Sequence, residues 1–206
     1  LYNAINIKKG NMYSENKLEI VKGKLLDELK REGYVNSVVE VEVDNINESS
    51  VAIKFIVNKG DEIIIKKLNY EGSDKLTSDE FDDVTVNKEE ESANWFFGQN
   101  EGVMNFDQLE YDGFRVKEVY LENGFLDAKV EQPFSKIDFN TNTATIEYTI
   151  VEGVQYKVNN TIIYVDEEIV DVDKIYPELK LEKDDIFNIT HLRKDKKLIT
   201  TKVANK

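Results

Sequence analysis

The sequence contains no cysteine and only two prolines among its 206 residues. Without cysteine, a disulfide framework and a zinc site with cysteine ligands are both excluded. The two prolines, Pro133 and Pro177, lie far apart, and no low-complexity stretch separates them. A disordered tail or a proline-rich linker is therefore not expected. A chain of 206 residues is long enough for one large domain or for two to three small ones.

Long apolar runs and positive charge are also scarce. No run approaches the roughly 20 apolar residues that cross a bilayer, and the start, at Leu1, shows no signal-peptide pattern. The chain has 41 acidic and 27 basic residues, a net charge of -14. Nucleic-acid binding depends on Lys and Arg neutralising phosphates, so nucleic acid is not expected as a partner, and anionic lipid is disfavoured for the same reason.

An internal repeat spans most of the chain. Segment 18–43 aligns without gaps with segment 109–134, so that Gly33 falls on Gly124. Before each glycine, apolar residues step by seven and four, which predicts one face of a helix. Each glycine is predicted to end its helix in the left-handed conformation. The aligned apolar pairs are Leu18/Leu109, Leu25/Val116, Leu29/Tyr120 and Tyr34/Phe125.

After each helix-ending glycine the apolar period changes to two, which predicts strands. Val39, Val41 and Val43 alternate with acidic residues, and segment 51–57 continues the alternation, as does segment 144–150 in the second copy. Each hairpin ends in another glycine; these are Gly60 and Gly153, 93 positions apart.

A further strand pattern begins directly after each hairpin, at Ile63–Tyr70 and again at Tyr156–Val165. Thr77 and Glu80 then have the spacing of a capping box, which predicts a helix start. The repeating unit is therefore predicted to be strand, helix, helix, strand, strand. Its short junctions predict limited hinges between units rather than free linkers.

A third copy of the helix pattern occurs near the end of the chain. Leu192, Ile199 and Val203 repeat the seven-and-four step. The predicted organisation is the C-terminal part of one unit at residues 1–60, a complete unit at 61–153, and the N-terminal part of a third unit at 154–206.

This organisation resembles the POTRA domains of outer-membrane protein assembly factors of the BamA family, and parts of their second, third and fourth units in particular. Four segments carry the resemblance: Asn94–Gly98, Leu109–Asp112 with Tyr120–Ala128, Val151–Val158, and Leu68–Ser73. The fold class is predicted to be α+β, with tandem POTRA repeats. Each repeat is expected to be a three-stranded mixed sheet covered on one face by two helices.

In that topology the first and third strands are parallel neighbours, and the second strand lies at an edge. An extended peptide could add to this edge by β-augmentation, although Lys129 and Glu131 could equally protect it from pairing. Pro133 fits an edge position, because proline cannot donate to a central ladder. The predicted binding residues are Leu126, Asp127, Ala128, Lys129, Val130, Glu131 and Gln132.

The aromatic segment Trp95, Phe96 and Phe97 has two interpretations. It could form an apolar patch that binds clients, or it could be a partly buried turn between helices. The residue types alone leave both open.

The resemblance also implies what the protein does and where. It implies a periplasmic binding scaffold of a Gram-negative bacterium, attached to a C-terminal outer-membrane β-barrel without itself spanning the membrane. The implied partners are unfolded outer-membrane proteins and accessory lipoproteins. No cofactor, metal or enzymatic activity is implied.

Two alternatives remain at the level of sequence. One is a POTRA array from a secretion or autotransporter-assembly transporter; the other is an α+β hydrolase or a metal-binding exoprotein. For the second, His191 is the sole histidine and is interpreted as surface, and no cysteine can serve as a nucleophile. The acidic runs lack the spacing of a calcium loop.

Overall fold

The structure is a computed structural model that describes residues 6–91, 101–164 and 171–204. These residues belong to two compact units. The first unit takes its described residues from Leu1–Asn69, Val86–Asp112 and Pro133–Glu147, and the second from Tyr70–Thr85, Gly113–Gln132 and Tyr148–Lys206. Each compact unit therefore combines parts of two predicted repeats. No helix among the described residues is both long enough and apolar enough to span a bilayer.

The first repeat consists of one helix, α1 (Glu15–Arg31), and a hairpin of β1 (Val38–Asn47) and β2 (Ser50–Asn58). The strands pair antiparallel. The apolar face predicted for α1 is buried, and it packs against Val39 of β1. Burying a leucine contributes about 1.5–3 kcal/mol relative to exposure, so this face holds the hairpin onto the helix. The buried residues of α1 are Leu18, Val21, Leu25 and Leu29.

The middle repeat contains the predicted order of strand, helix, helix, strand, strand. Its elements are β3 (Ile64–Glu71), α2 (Ser78–Asp82), α3 (Phe106–Glu122), β4 (Lys129–Val130), β5 (Phe134–Asp138) and β6 (Thr143–Val151). The second strand of the unit is thus divided into β4 and β5. In the sheet, β6 lies between β3 on one side and β4 with β5 on the other.

The sheet of the middle repeat is mixed. β4 and β5 both run antiparallel to β6. At the start of β3, the Ile64 backbone N–H donates to the Asn142 carbonyl, just before β6. Just after β3 ends, Gly72 lies against the Ile150 carbonyl near the end of β6. The start of β3 therefore lies beside the start of β6, and the end of β3 beside the end of β6, so the two strands are parallel. The predicted α+β fold with a mixed sheet is confirmed.

Aromatic side chains form the core where β3, β6 and the two helices meet. Tyr70 stacks on Tyr148 with ring centroids 4.8 Å apart. Phe81 of α2 lies 5.6 Å from Tyr120 of α3, and Tyr120 meets Phe125 edge-on at 5.7 Å. Such pairs contribute about 0.5–1.5 kcal/mol beyond the area they bury. They fix both helices on the same face of the sheet.

The start of α2 confirms the predicted capping box. The Glu80 carboxylate accepts hydrogen bonds from the Thr77 hydroxyl and backbone N–H, both at 2.6 Å. The Thr77 hydroxyl, followed by its backbone N–H, lowers the pKa of Glu80 below its ordinary value. This carboxylate therefore stays ionised and caps a helix of only five residues.

The third segment contains α4 (Ile189–Ala204) after two short 3₁₀ turns, Val172–Lys174 and Tyr176–Glu178. Ile199 and Val203 of α4 pack against buried Ile175 and Leu179, as the apolar step predicted, whereas Leu192 is 41% exposed.

The strand predicted from Tyr156 to Val165 is wrong for the described part of that segment. Lys157 forms only an isolated bridge, to Ile186. Val158 exchanges two backbone hydrogen bonds with residues 184–185. A strand requires a neighbouring strand to pair with. The neighbour of Lys157 and Val158 is the short connecting segment at residues 184–186, which provides only a bridge.

The repeat found in the sequence recurs element by element. Adding 91 to the bounds of α1 gives those of α3, and adding 91 to β1 gives Lys129 and Asp138, the outer bounds of β4 and β5. Adding 93 to β2 gives β6, because the second hairpin turn is two residues longer. Adding 83 to the first residue of α3 gives the first residue of α4. One structural unit thus recurs along the chain.

Replacing Gly23 with alanine is expected to stabilise the protein by about 0.5–1 kcal/mol. Gly23 lies inside α1, where glycine has a greater entropic cost of folding than alanine. A Cβ atom built there meets no atom within 4 Å. Urea denaturation followed by far-UV circular dichroism measures the change. A destabilised variant would contradict the open surroundings of this residue.

Candidate strand-binding edge

The edge of the middle repeat's sheet begins at Lys129. Lys129 lies opposite Val151, and Val130 lies opposite Ile150. The Glu131 backbone N–H then donates to the Thr149 carbonyl at 3.0 Å. Within the described residues no other strand pairs with the far side of β4 or β5.

A β-bulge interrupts this edge. After Val130 opposite Ile150, the next paired position is Phe134 opposite Glu147. Three residues of the edge strand thus face two residues of β6, which defines a bulge of one extra residue. Pro133 lies in it and is buried. The edge is therefore divided into Lys129–Glu131 and Phe134–Asp138.

The structure places the predicted binding residues in three different settings. Leu126 and Ala128 belong to the turn after α3, in which the Ala128 N–H donates to the Phe125 carbonyl at 3.1 Å. The Asp127 carboxylate accepts a hydrogen bond from the Tyr156 hydroxyl at 2.7 Å. The three residues from Lys129 to Glu131 lie on the ladder, and Gln132 lies in the bulge.

The strand therefore begins three residues later than the predicted edge at Leu126 and continues to Asp138. The cause is local, because closing the turn uses the backbone N–H of Ala128. Alternation alone did not show where the turn ends. Peptide binding by residues 126–132 stays a prediction.

The second part of the edge carries an exposed aromatic side chain. Phe134 is 63% exposed, and it alternates with half-buried Ser135 and Ile137. Lys136 and Asp138 are exposed like Phe134. An added strand would meet one aromatic ring and two opposite charges on this face. The predicted aromatic segment Trp95, Phe96 and Phe97 lies outside the described residues.

The junction between the first and middle repeats is a chain of hydrogen bonds within the first compact unit. The Gly33 carbonyl accepts the Ile63 N–H at 3.1 Å, and the Ile63 carbonyl accepts the Met104 N–H at 2.8 Å. Beside it, the Arg31 guanidinium meets Asp107 at 2.6 Å. The end of α1 is thereby connected to the start of α3.

The second junction repeats this pattern within the second compact unit. The Gly124 carbonyl accepts the Tyr156 N–H at 2.9 Å, and the Tyr156 carbonyl accepts the Phe187 N–H at 3.0 Å. The position of the ion pair is taken by Glu122, which accepts a hydrogen bond from the Thr190 hydroxyl at 2.6 Å. The backbone pattern is the same at the two junctions, whereas the ion pair of the first is replaced by a hydroxyl–carboxylate hydrogen bond in the second.

The four glycines singled out in the sequence all lie at these junctions, and all have positive φ: Gly33 (90°), Gly60 (68°), Gly124 (85°) and Gly153 (75°). At Gly124 the left-handed conformation coincides with a close approach. A Cβ there would lie 2.9 Å from the Tyr156 carbonyl oxygen and 2.8 Å from the Ile186 side chain. The glycine that ends α3 thus also lets the next repeat approach.

A buried carboxylate that the sequence did not reveal holds α3 to the chain after α2. Asp112 is fully buried and accepts the backbone N–H groups of Val86 and Asn87, both at 2.9 Å. It also accepts the Asn87 side-chain amide at 2.8 Å. Charge-assisted bonds of this kind are about twice as strong as neutral ones.

The third segment contains an equivalent carboxylate. Asp195, 83 positions after Asp112, is 3% exposed and accepts the backbone N–H groups of Lys180 at 2.7 Å and Leu181 at 2.9 Å. Each aspartate lies inside the second helix of its unit, three residues after the leucine that begins the apolar step. This spacing is the signal that could have identified both buried carboxylates from the sequence. The equivalent residue of α1 is Val21, which packs in the core instead.

A second polar cluster connects the end of β6 to the turn after β3. The Glu152 carboxylate accepts the backbone N–H groups of Asp74 at 2.9 Å and Lys75 at 2.8 Å, and the Tyr120 hydroxyl at 3.2 Å. Burial, aided by the nearby Glu152 charge, raises the pKa of Tyr120 to about 12. Tyr120 therefore remains a neutral donor at physiological pH.

The sequence analysis considered His191 for catalysis and the acidic runs for metal binding. His191 is half-buried near the start of α4, where its backbone N–H donates to the Asn188 side chain at 2.9 Å. Among the described residues, no group of three or more His, Asp and Glu side chains could hold a metal ion.

Comparison with known families gives one match that covers most of the chain. The POTRA family model, described as "Surface antigen variable number repeat", matches residues 1–60 and 63–153. A protein of Nitratidesulfovibrio vulgaris named outer membrane protein assembly factor BamA is 26% identical over 208 residues, which cover 98% of this chain and 26% of that protein. The chain spans about a quarter of the length of the curated relatives it matches.

Solved structures similar to this chain include two sets of three POTRA domains. POTRA domains 3–5 of Haemophilus influenzae BamA are 14% identical with a TM-score of 0.46, covering 97% of this chain and 77% of that one. POTRA domains 1–3 of Omp85 from Anabaena are 17% identical with a TM-score of 0.44, covering 97% and 76%. The unit boundaries after residues 60 and 153 stay a prediction.

Proposed function

Since the chain belongs to the POTRA family, we propose that it is a binding scaffold that receives unfolded outer-membrane β-barrel proteins by β-augmentation. In this proposal an extended client segment adds as a further strand to the open edge of the middle repeat. The role is capture and positioning, not catalysis. The name of the curated relative, an outer membrane protein assembly factor, supports this function.

The observation that carries the proposal is the position of β4 and β5 at the end of their sheet. Their outer backbone N–H and C=O groups face away from β6. Main-chain hydrogen bonds at such an edge provide affinity that depends little on client sequence. This suits a receptor for many different β-barrel proteins.

The wider setting is part of the same proposal. We place the chain in the periplasm of a Gram-negative bacterium, attached to a C-terminal outer-membrane β-barrel and in contact with accessory lipoproteins. The hydrogen-bonded junctions at Gly33 and Gly124 would hold neighbouring repeats in defined positions. Once a client is bound at one edge, its effective concentration at the other edges of the same chain is raised, so several weak edges together bind it more tightly.

A proline at Val130 is expected to weaken client binding at least tenfold. Successive N–H groups of a strand point in opposite directions, and that of Glu131 points to β6. The N–H of Val130 therefore points outward, and proline removes it. Fluorescence anisotropy of a labelled peptide, copied from one transmembrane strand of a β-barrel protein, measures the loss.

The matched control is Val130→Ala, which removes the side chain but keeps the N–H group. We expect it to bind the peptide almost as well as the unmodified chain. Circular dichroism melting establishes that both variants are folded. Equal binding by a folded Val130→Pro variant would show that this edge does not capture clients.

A further inference from the structure

The hairpin of the first repeat has a longer uninterrupted edge than that of the middle repeat. β1 stays in register with β2 from Val38 opposite Asn58 to Asn45 opposite Val51. Its register shift comes only between Asn45 and Asn47, near the turn. The middle repeat has its bulge within the strand. Eight continuous residues span about 26 Å, whereas the five of β5 span about 17 Å.

Comparison of the repeats identifies which side of this hairpin is a terminal edge. β2 corresponds to β6, which has neighbours on both sides in its sheet. β1 corresponds to β4 and β5, which are last in their sheet. Within the described residues β1 pairs only with β2. The outer side of β1 is therefore the edge shared by both repeats.

The side chains of β1 give this edge a distinct chemistry. Val39 is 3% exposed and packs towards α1, whereas Glu40, Glu42 and Asp44 are exposed. Glu42 pairs with Lys54 at 2.9 Å. Among the described residues, Glu40 and Asp44 have no cation within the 4.0 Å of an ion pair. The solvent face of the edge thus has an excess of negative charge.

We propose that the outer edge of β1, Val38–Asn45, binds extended segments in which lysine or arginine alternates with β-branched apolar residues. The basic side chains would lie beside Glu40, Glu42 and Asp44, and the apolar ones beside Val39 and its neighbours on the helix side. Opposite charges on adjacent strands stabilise the pairing, whereas like charges oppose it. The acidic edge therefore excludes acidic strands and accepts basic ones.

This inference rests on the proposed function in that both sites bind extended strands, but it concerns another repeat and adds charge selectivity. The probe is a ten-residue capped peptide of alternating lysine and valine. We expect amide chemical-shift changes in two-dimensional NMR to be concentrated at residues 38–45. A peptide of alternating glutamate and valine is expected to cause none there.

The double variant Glu40→Gln and Asp44→Gln is expected to weaken binding of the basic peptide at least tenfold at low salt, because long-range attraction is screened least there. The matched control is Glu19→Gln with Glu110→Gln, which removes two charges from exposed helix positions. Its affinity should stay within twofold of the unmodified chain. Equal weakening by both pairs would overturn the proposal.

A second probe separates strand pairing from attraction by net charge. A basic peptide N-methylated at alternate residues keeps its charge but loses the N–H groups of one edge. We expect at least tenfold weaker binding, and unchanged binding would overturn the proposal. The Val130→Pro variant should bind the basic peptide normally, so failure at β1 is distinguishable from failure at the middle repeat.

Discussion

Replacing Asp112 with alanine is expected to destabilise the protein by about 3–5 kcal/mol, because buried donors are then left without an acceptor. The Asp112 carboxylate accepts three hydrogen bonds, two of them from the fully buried Asn87. Asn87 is 0% exposed, so its donors are out of contact with bulk water. A whole domain is stable by about 5–15 kcal/mol, so the loss would threaten the fold of the middle repeat.

Thermal unfolding measures the overall loss, and amide hydrogen exchange at Asn87 measures it locally. The matched control is Glu110→Ala, which removes an exposed carboxylate two positions earlier on α3 and should change stability by less than about 0.5 kcal/mol. Asp112→Asn should be intermediate, since the amide oxygen can still accept. If Asp112→Ala unfolds at the same temperature as Glu110→Ala, then Asp112 does not hold α3 to the chain after α2.

The sequence predicts most of the architecture because the repeat provides two copies of the second helix and of the hairpin that follows it. The apolar step of α1 recurs in α3, and the helix-ending glycines Gly33 and Gly124 both lie at positive φ. Strand alternation identified both hairpins. These signals are local in sequence, so reading them requires no knowledge of which elements meet.

What the sequence could not predict depends on contacts between distant elements. The bulge at Gln132–Pro133 exists only relative to β6, since alternation within one strand does not show how many residues face its partner. Asp112 resembles any polar residue of a helix until Val86 and Asn87 are placed beside it. The sequence therefore predicts that an edge strand follows α3, but not the residues at which that strand begins and is interrupted.

The two hairpins differ in the position of one extra residue, and this difference divides the proposed function unevenly along the chain. In each hairpin the edge strand, β1 or β4 with β5, has ten residues opposite nine of its partner. Only the position of the extra residue differs. A bulge near the turn leaves a long edge in the first repeat, whereas a bulge within the strand leaves two short ones in the middle repeat. Under the proposed function, moving the extra residue along the strand would change which clients each repeat accepts.

Replacing Gly72 with alanine is expected to cost about 2–5 kcal/mol, from two sources. Gly72 has a φ of 86°, where a residue with a Cβ is strained by about 1–2 kcal/mol. A Cβ there would also clash with the Ile150 carbonyl oxygen, a backbone atom of β6. Relieving the clash must separate the ends of β3 and β6, and overpacking of this kind costs about 1–3 kcal/mol more.

The control for Gly72→Ala is Gly60→Ala, which isolates the cost of the backbone conformation. Gly60 has a φ of 68°, but a Cβ there is 3.4 Å from its nearest neighbour, an ordinary contact. We therefore expect Gly60→Ala to cost only the roughly 1–2 kcal/mol of strain. In Gly72→Ala, amide exchange should also rise at Asp74 and Lys75, whose N–H groups are bound by Glu152. Equal costs for the two variants would mean that β3 and β6 do not approach closely at Gly72, and the parallel pairing that makes β4 and β5 the edge would lose its main support.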